Sequence, residues 1–420
     1  VSGSAEQLRV LDADADLGTV ADAVADALTA GRPIAPLPAD PTAAEQVMAM
    51  LQPQLPVTED DAAVVVSTSG STGVPKGVVL SRTAIRASAS ATEERLGGPG
   101  RWLLALPTHY VAGFMVVARA VAAGRPVHQV GRDLSGLSRS VEAGDGRSYL
   151  SVVGTQLTRA LRDPVLSAAL ARVDVVLLGG GPADPALLER SRQAGITVVT
   201  TYGMSETCGG CVYDGVPLPG ATVTLQPAEG SQNPSSVRGV VEPETPGPRE
   251  GRVLLGGPMV FSGYRLNPEL TAATLLDGRV RTNDRGVLAD GMLQVLGRFD
   301  DVIISGGLKI DTAAVEQVAR RWPGLDGEIA VVGVPDPEWG TRPVAYAESW
   351  AGQLDTEALR GYLATRLARH ELPDVVVLAT LPRTSSGKID REALRRGGLE
   401  PATHRTDQGI SDSSAERGGA

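Results

Sequence analysis

Ser67-Thr-Ser-Gly-Ser-Thr-Gly-Val-Pro-Lys-Gly77 lies between two apolar runs, residues 62–66 and 78–80. The runs predict two strands joined by a loop of hydroxyls, glycines and one lysine. Such a loop turns backbone N–H groups, hydroxyl donors and a cation toward one anion, and polyphosphate fits that chemistry best. Gly70, Gly73 and Gly77 let the backbone approach a ligand closely, and Lys76 adds a point charge. Ser69, Gly70, Ser71, Thr72, Gly73 and Lys76 are therefore candidate phosphate-binding residues. A Walker A loop requires G-x-x-x-x-G-K-[ST]. Here Lys76 follows Pro75, and Gly77 stands where a hydroxyl is needed. The kinase and GTPase readings fail on these residues. A solvated Gly/Ser loop is the plain alternative; the ordered Pro-Lys-Gly ending argues against it.

The chain of 420 residues has room for two or three domains and a sizeable core. A formal net charge of −10 argues against nucleic acid as the main partner, though local basic sites for phosphate remain compatible with it. No apolar run approaches the ~20 residues of a membrane span. Residues 1–16 are polar and acidic, unlike a secretory leader, so a cytoplasmic enzyme is expected. Monomer and homo-oligomer both stay open. Cys208 and Cys211 form a C-G-G-C arrangement that suits a redox dithiol or half a zinc site. Zinc needs two further ligands, and His109, His128, His370 and His404 show no paired spacing. Beside Tyr-Gly-Met-Ser-Glu, the two cysteines read better as small pocket-lining residues.

Apolar β-like runs at 102–106, 126–130, 148–153, 173–178 and 196–200 alternate with helical patterns at 113–123, 156–161 and 185–194. That alternation predicts a largely parallel, covered sheet in an α/β fold. After Gly215 shorter runs at 221–225 and 253–255 suggest a small β subdomain, separated by a Pro/Ser/Gly/Glu-rich surface loop over 228–250. A compact α+β module begins near Gly297, with a helix after Lys309, strands near 329–334, 343–348 and 375–378, and a helix over 356–369. The division expected is 1–299, 300–396 and a polar tail, 397–420, that reads as disordered.

Four further motifs carry chemistry. Thr201-Tyr-Gly-Met-Ser-Glu206 follows a strand and is expected to turn at its carboxyl end, where parallel sheets bind ligands. Tyr202 suits stacking on a base, and Glu206 suits Mg²⁺, which takes few carboxylates plus phosphate oxygens. Gly179, Gly180 and Gly181 offer bare backbone to a flat ring. Asp284 and Arg298 suit the two hydroxyls of a ribose, with a surface ion pair as the plain alternative for each. Lys388, in Pro382-Arg-Thr-Ser-Ser-Gly-Lys-Ile-Asp390, is either a solvated lysine or a cation for a phosphoryl transition state.

In this order the motifs, over roughly residues 62–391, resemble the adenylate-forming superfamily of acyl-CoA synthetases, adenylation domains and luciferases. The short large domain, with Leu106-Pro-Thr-His-Tyr-Val-Ala-Gly113, Ser151-Val-Val-Gly-Thr-Gln-Leu157 and the 202–215 segment, is similar to o-succinylbenzoate–CoA ligases of menaquinone biosynthesis. Tyr110 stands where that family commonly has histidine, with His109 beside it. The resemblance implies a large N-terminal layered α/β domain and a small mobile C-terminal domain. It implies a carboxylate attacking the α-phosphate of Mg·ATP, then coenzyme A thiolate taking the acyl group and releasing AMP. Ser69, Ser71, Thr72 and Lys76 would hold the β- and γ-phosphates, Thr72 and Glu206 the metal. Thr201, Tyr202, Gly203 and Ser205 would join the glycines, Asp284 and Arg298 around the nucleotide, and Lys388 would bridge α-phosphate and acid. His109, Tyr110, Gly154, Thr155, Gly203 and Met204 would line the acyl pocket. Asp300 would be a hinge, and Gly306 and Gly307 would clear a path for pantetheine.

Arg119 stands in an otherwise apolar helical run, Gly113-Phe-Met-Val-Val-Ala-Arg-Ala-Val-Ala-Ala123. An arginine there either snorkels outward or has a buried anionic partner. The partner is either a protein carboxylate or the aromatic carboxylate of a dicarboxylic substrate. Another acid, such as a benzoate or fatty acid, keeps the same chemistry; an amino acid is disfavoured by Val111-Ala-Gly-Phe at the pocket entry. A non-catalytic nucleotide sensor is the alternative of another class.

Overall fold

The apolar runs around the opening loop form an antiparallel hairpin, Ala62–Ser69 against Pro75–Ser81, with Val65 opposite Val79 and Val66 opposite Val78. Valine-rich strands are stiff at χ1 and pack well on a pleated surface. The computed structural model describes residues 6–29, 31–69, 75–144, 146–227, 249–349, 354–384 and 387–397. Gly70, Ser71, Thr72 and Gly73, the side chain of Ser69, and the tail from 398 lie outside the described residues. So does most of the 228–250 loop, although a strand, Arg249–Gly256, already begins at its last two residues.

The chain divides into two compact units, Val1–Val302 with Arg383–Ile389, and Ile303–Pro382 with Asp390–Ala420. The first is built on a seven-stranded sheet ordered Val216–Pro217, Gly209–Tyr213, Val198–Met204, Val175–Gly179, Ser148–Val153, Arg101–Leu104 and Val127–Gln129. The last five run parallel; the first two are antiparallel additions at the edge. Both faces are covered. Trp102, Leu104, Val175 and Leu177 enter one core cluster, while Leu103, Val176 and Leu178 enter the other. That two-sided burial is why these strands read as continuous apolar runs rather than alternating ones.

The hairpin belongs to a five-stranded sheet ordered Gly263–Tyr264, Pro75–Ser81, Ala62–Ser69, Ile34–Pro36 and Arg9–Leu11. A third sheet carries Thr222–Gln226, Arg249–Gly256, Arg279–Ala289 and Leu275–Leu276, with Met292–Arg298 also paired to Arg279–Ala289. The second unit has a three-stranded sheet, Ile329–Asp336, Gly340–Glu348 and Asp374–Leu378, with helices Thr312–Arg320 and Thr356–Ala364. The second helix ends five residues before the expected 369, at Ala364, and a short 3₁₀ turn, Arg369–Glu371, follows. Buried Glu316 there accepts from Arg320, Arg391 and the Val331 N–H, so a charge taken out of water is fully bonded.

One buried cation organises the edge of the first unit. Arg265, only 4% exposed, donates from Nε to Leu51 O (3.0 Å) and from its two terminal nitrogens to Pro56, Gln52 and Leu55 carbonyls (2.6, 3.1 and 2.6 Å). The planar fork thus closes the turn after helix Pro41–Leu51 and ties it to the strand Gly263–Tyr264. Arg265→Met should lower unfolding stability by about 2–4 kcal/mol in a urea titration, because four carbonyls lose their donor. Arg265→Lys should not restore it, since an ammonium cannot span the four acceptors.

Candidate active site

The segment 201–206 does not turn where expected. The strand Val198–Met204 runs on through Tyr202, held by antiparallel pairing of Tyr202 with Val212 and Met204 with Gly209, and a 3₁₀ turn, Ser205–Thr207, follows. This extension carries Tyr202 to Asp284: its hydroxyl donates to Oδ2 at 2.6 Å. Asp284 lies directly opposite Arg298 across the pair Arg279–Ala289 and Met292–Arg298. Burial raises the Asp284 pKa, against the lowering effects of the Tyr202 hydroxyl and Arg298. Arg298 is gripped by Asp300 through two bonds, 2.8 and 2.9 Å, and stands 3.9 Å from Asp284. The Asp300 bond first, and then the neighbouring acids, raise its pKa, so it stays a cation. Asp300 itself sits in the 3₁₀ turn Phe299–Asp301.

The glycine run lies at the end of strand Val175–Gly179. A Cβ on Gly179 would meet Thr201 Oγ1 at 2.7 Å, so the close packing against Thr201 needs a bare backbone there. Gly180 has φ +88°, and a Cβ there would lie 3.5 Å from Lys388 Cε. Lys388, on the segment that groups with the first unit, thus stands beside the glycine run. It keeps solvent access. Even so, the protein around it and the charge of Arg298 draw its pKa below that of a free lysine, while Asp284 acts the other way. Of the expected nucleotide group, Tyr202, Asp284, Arg298, Gly180 and Lys388 are brought together.

Glu206 occupies a second cluster. Its Oε1 accepts from the Tyr264 hydroxyl at 2.6 Å, and its carbonyl accepts from Phe261 N–H. Lys76 Nζ stands 5.9 Å from the centre of the Tyr264 ring. A cavity of about 630 Å³ opens beside Lys76 and Tyr264, lined also by Met50, Pro75 and Arg265 among others. Tyr264 was not legible as a site residue: its partner is 58 positions away. The nearby Asn267-Pro-Glu triplet announces only the start of helix Pro268–Thr274.

Among the acyl candidates, the rings of His109 and Tyr110 meet at 4.1 Å, tilted by 49°, just before helix Val111–Ala122. Gly154 and Thr155 open helix Gly154–Ala160. Gln156, whose amide nitrogen donates to the Ala105 and Arg132 carbonyls and whose oxygen accepts from Val153 N–H, ties three strand ends around them. Arg119 is 4% exposed and lies over the Trp102 ring at 5.0 Å. Its Nε is buried without a hydrogen-bond partner, and it forms no ion pair among the described residues. Glu93, whose pKa burial raises and Arg119 lowers, feels that charge from beyond ion-pair distance. Cys208 and Cys211 are free, buried thiols; burial raises both pKa values, Cys211 to about 11. Neither is an activated thiolate at neutral pH. In the second unit Gly306 has φ +54°, and a Cβ there would meet the Trp339 ring at 2.6 Å, while nothing lies within 4 Å of one on Gly307.

Residues 5–265 match the family model described as AMP-binding enzyme, and residues 314–388 match the AMP-binding enzyme C-terminal domain. A Mycobacterium tuberculosis (strain H37Rv) relative named probable 2-succinylbenzoate–CoA ligase is 43% identical over 349 residues, 80% of this chain and 85% of that protein. A 2-succinylbenzoate–CoA ligase from Listeria monocytogenes serotype 4b is 36% identical over 341 residues, 80% of this chain and 70% of its own. Among solved structures, Bacillus subtilis O-succinylbenzoate coenzyme A synthetase in complex with AMP has the same fold, with a TM-score of 0.73 at 24% identity, over 93% of this chain and 96% of that one. ATP-bound MatB from Rhodopseudomonas palustris gives a TM-score of 0.76 at 19% identity, over 94% and 96%.

His109 has its pKa lowered to about 4, first by burial and then by Arg132. Its charged form is the one disfavoured, so the imidazole should be neutral throughout the physiological range. Titration of its ring resonances by NMR should show one transition near pH 4; a midpoint above 6 would contradict the burial described here.

Proposed function

This chain belongs to the AMP-binding enzyme family, and we propose that it is an ATP-dependent acid–CoA ligase whose acid is 2-succinylbenzoate. The observation that carries the chemistry is the Tyr202–Asp284–Arg298 group beside Lys388 and Gly180. The identity of the acid rests on the curated relatives, 43% and 36% identical, that carry that activity in their names.

In this reading Asp284 accepts the ribose hydroxyls. Arg298, held by Asp300, keeps the carboxylate charged and aimed. Tyr202, pinned through its hydroxyl, presents its ring face to the base. Mg²⁺ arrives with ATP as part of the substrate. Among the described residues no three His, Cys, Asp or Glu side chains converge, so the donor set suits a cation carried by phosphates rather than a resident metal. Glu206 offers it an oxygen, and the Thr72 hydroxyl is the second donor. Ser69, Gly70, Ser71, Gly73 and Lys76 cradle the departing diphosphate. Gly179, Gly181, Thr201, Gly203 and Ser205 complete the nucleotide's surroundings.

The acid's carboxylate oxygen attacks the α-phosphorus and the bond to diphosphate breaks. A carboxylate has no good leaving group for a thiol; the mixed anhydride supplies AMP. Catalysis of such transfer is mostly positioning and charge stabilisation. Lys388 carries the positive charge between α-phosphate and acid, and its lowered pKa means that this charge is lost at a lower pH than for free lysine. Coenzyme A sulfur then attacks the acyl carbon and AMP leaves. The hinge role of Asp300 and the pantetheine-clearing role of Gly306 and Gly307 belong to this second step.

Arg119 serves the aromatic carboxylate, directly or through water, at a pocket formed by His109, Tyr110, Gly154, Thr155, Gly203 and Met204. A buried guanidinium with an unbonded Nε and no protein ion pair among the described residues favours this over a structural salt bridge. The test is a panel of acids with ATP and CoA, read by the mass of the thioester. Wild-type protein should give 2-succinylbenzoyl-CoA in preference to benzoyl or fatty acyl products. Arg119→Leu should raise the apparent KM for 2-succinylbenzoate about ten- to hundred-fold, the size of a lost charged hydrogen bond. Unchanged affinity and turnover would rule out this role for Arg119. No AMP with any acid would favour a nucleotide sensor.

A further inference from the structure

The strand Gly263–Tyr264 makes two sets of contacts at once. It pairs with the strand that leaves the phosphate loop, Gly263 opposite Val79 and Tyr264 opposite Val78, and Arg265 N–H donates to Gly77 O at 2.7 Å. One turn earlier, Phe261 N–H donates to the backbone carbonyl of Glu206 at 2.9 Å. Tyr264 therefore stands on backbone that is fixed both to Gly77 and to Glu206. Its own N–H donates to Thr271 Oγ1, and its ring meets Phe261 edge-on at 4.9 Å. At 6% exposure the ring has little freedom left.

From that fixed position the side chain reaches two functional groups. The hydroxyl donates to Glu206 Oε1 at 2.6 Å, a short charge-assisted bond. The ring face lies 5.9 Å from Lys76 Nζ, within cation–π range. We propose that Tyr264 is a positioning residue that engages one oxygen of Glu206 and leaves the other for the divalent cation of the incoming nucleotide, while its ring sets the Lys76 ammonium. A half-buried glutamate without such a partner has several rotamers, and only some aim an oxygen at the cation. Binding one oxygen removes most of that freedom before the nucleotide arrives. This inference rests on the ligase reading, in which Glu206 meets the cation.

The experiment is a Mg²⁺ titration of AMP release at fixed ATP, with Tyr264→Phe, Glu206→Gln and the double variant. Tyr264→Phe keeps the ring, so packing and the Lys76 contact persist; equal Tm values check that. Its half-saturating Mg²⁺ concentration should rise about ten-fold, with kcat recovering at saturating Mg²⁺ and the KM values for acid and CoA unmoved. In the Glu206→Gln background the same change should add little, because the two residues act as one unit. Tyr264→Leu, which removes the ring as well, should additionally raise the KM for ATP. An unchanged Mg²⁺ dependence in Tyr264→Phe would overturn the inference, as would a uniform fall of every parameter together with Tm. If wild-type protein releases AMP without any divalent cation, or Glu206→Gln titrates like wild type, the reading of Glu206 fails instead.

Discussion

The proposed phosphate side of the site depends on one guanidinium. Arg265 spends its donors on four carbonyls of the turn after helix Pro41–Leu51, and its own N–H on Gly77. Those bonds fix the strand Gly263–Tyr264 against the strand that carries Lys76. Without that anchor neither Tyr264 nor Lys76 would have a defined direction, and Glu206 would lose the donor that orients it. A buried cation is expensive unless every hydrogen finds an acceptor. Here the acceptors are four backbone carbonyls of one turn, so the same bonds satisfy the guanidinium and close the turn.

The proposed nucleotide side follows the same logic with opposite charge. Asp284 is desolvated, which alone would favour its neutral acid. The Tyr202 hydroxyl and the Arg298 guanidinium oppose that, and Arg298 is itself held by Asp300. Burial still raises the Asp284 pKa, and the donor and the cation beside it limit that rise, an arrangement that suits the proposed recognition of two ribose hydroxyls. Hydrogen bonds made in such surroundings are stronger than in water and need little reorganisation when the ligand arrives. Arg119, held over Trp102, is the cation proposed for the acyl side.

Much of this was legible before any coordinates. The parallel strands were readable because burial on both faces leaves unbroken apolar runs, as in Val175-Val-Leu-Leu178. The order of motifs identified the family. What could not be read were contacts whose partners lie far apart in sequence. Tyr264 meets Glu206 across 58 positions, Tyr202 meets Asp284 across 82, and Arg265 meets Leu51 across 214. No periodicity encodes such pairs. The segment 201–206 was misread for a related reason. Its glycine and hydroxyls look like a turn, yet pairing with Gly209–Tyr213 extends it as a strand through Met204. Tertiary pairing overrode local propensity.

The central claim is that an oxygen of the acid ends on the α-phosphorus. 2-Succinylbenzoate carrying oxygen-18 in its succinyl carboxylate, incubated with ATP, Mg²⁺ and CoA, tests it directly by mass spectrometry of the products. The mechanism predicts AMP that has gained one oxygen-18 and diphosphate that has gained none. Label in diphosphate or orthophosphate, or unlabelled AMP alongside the thioester, would contradict it.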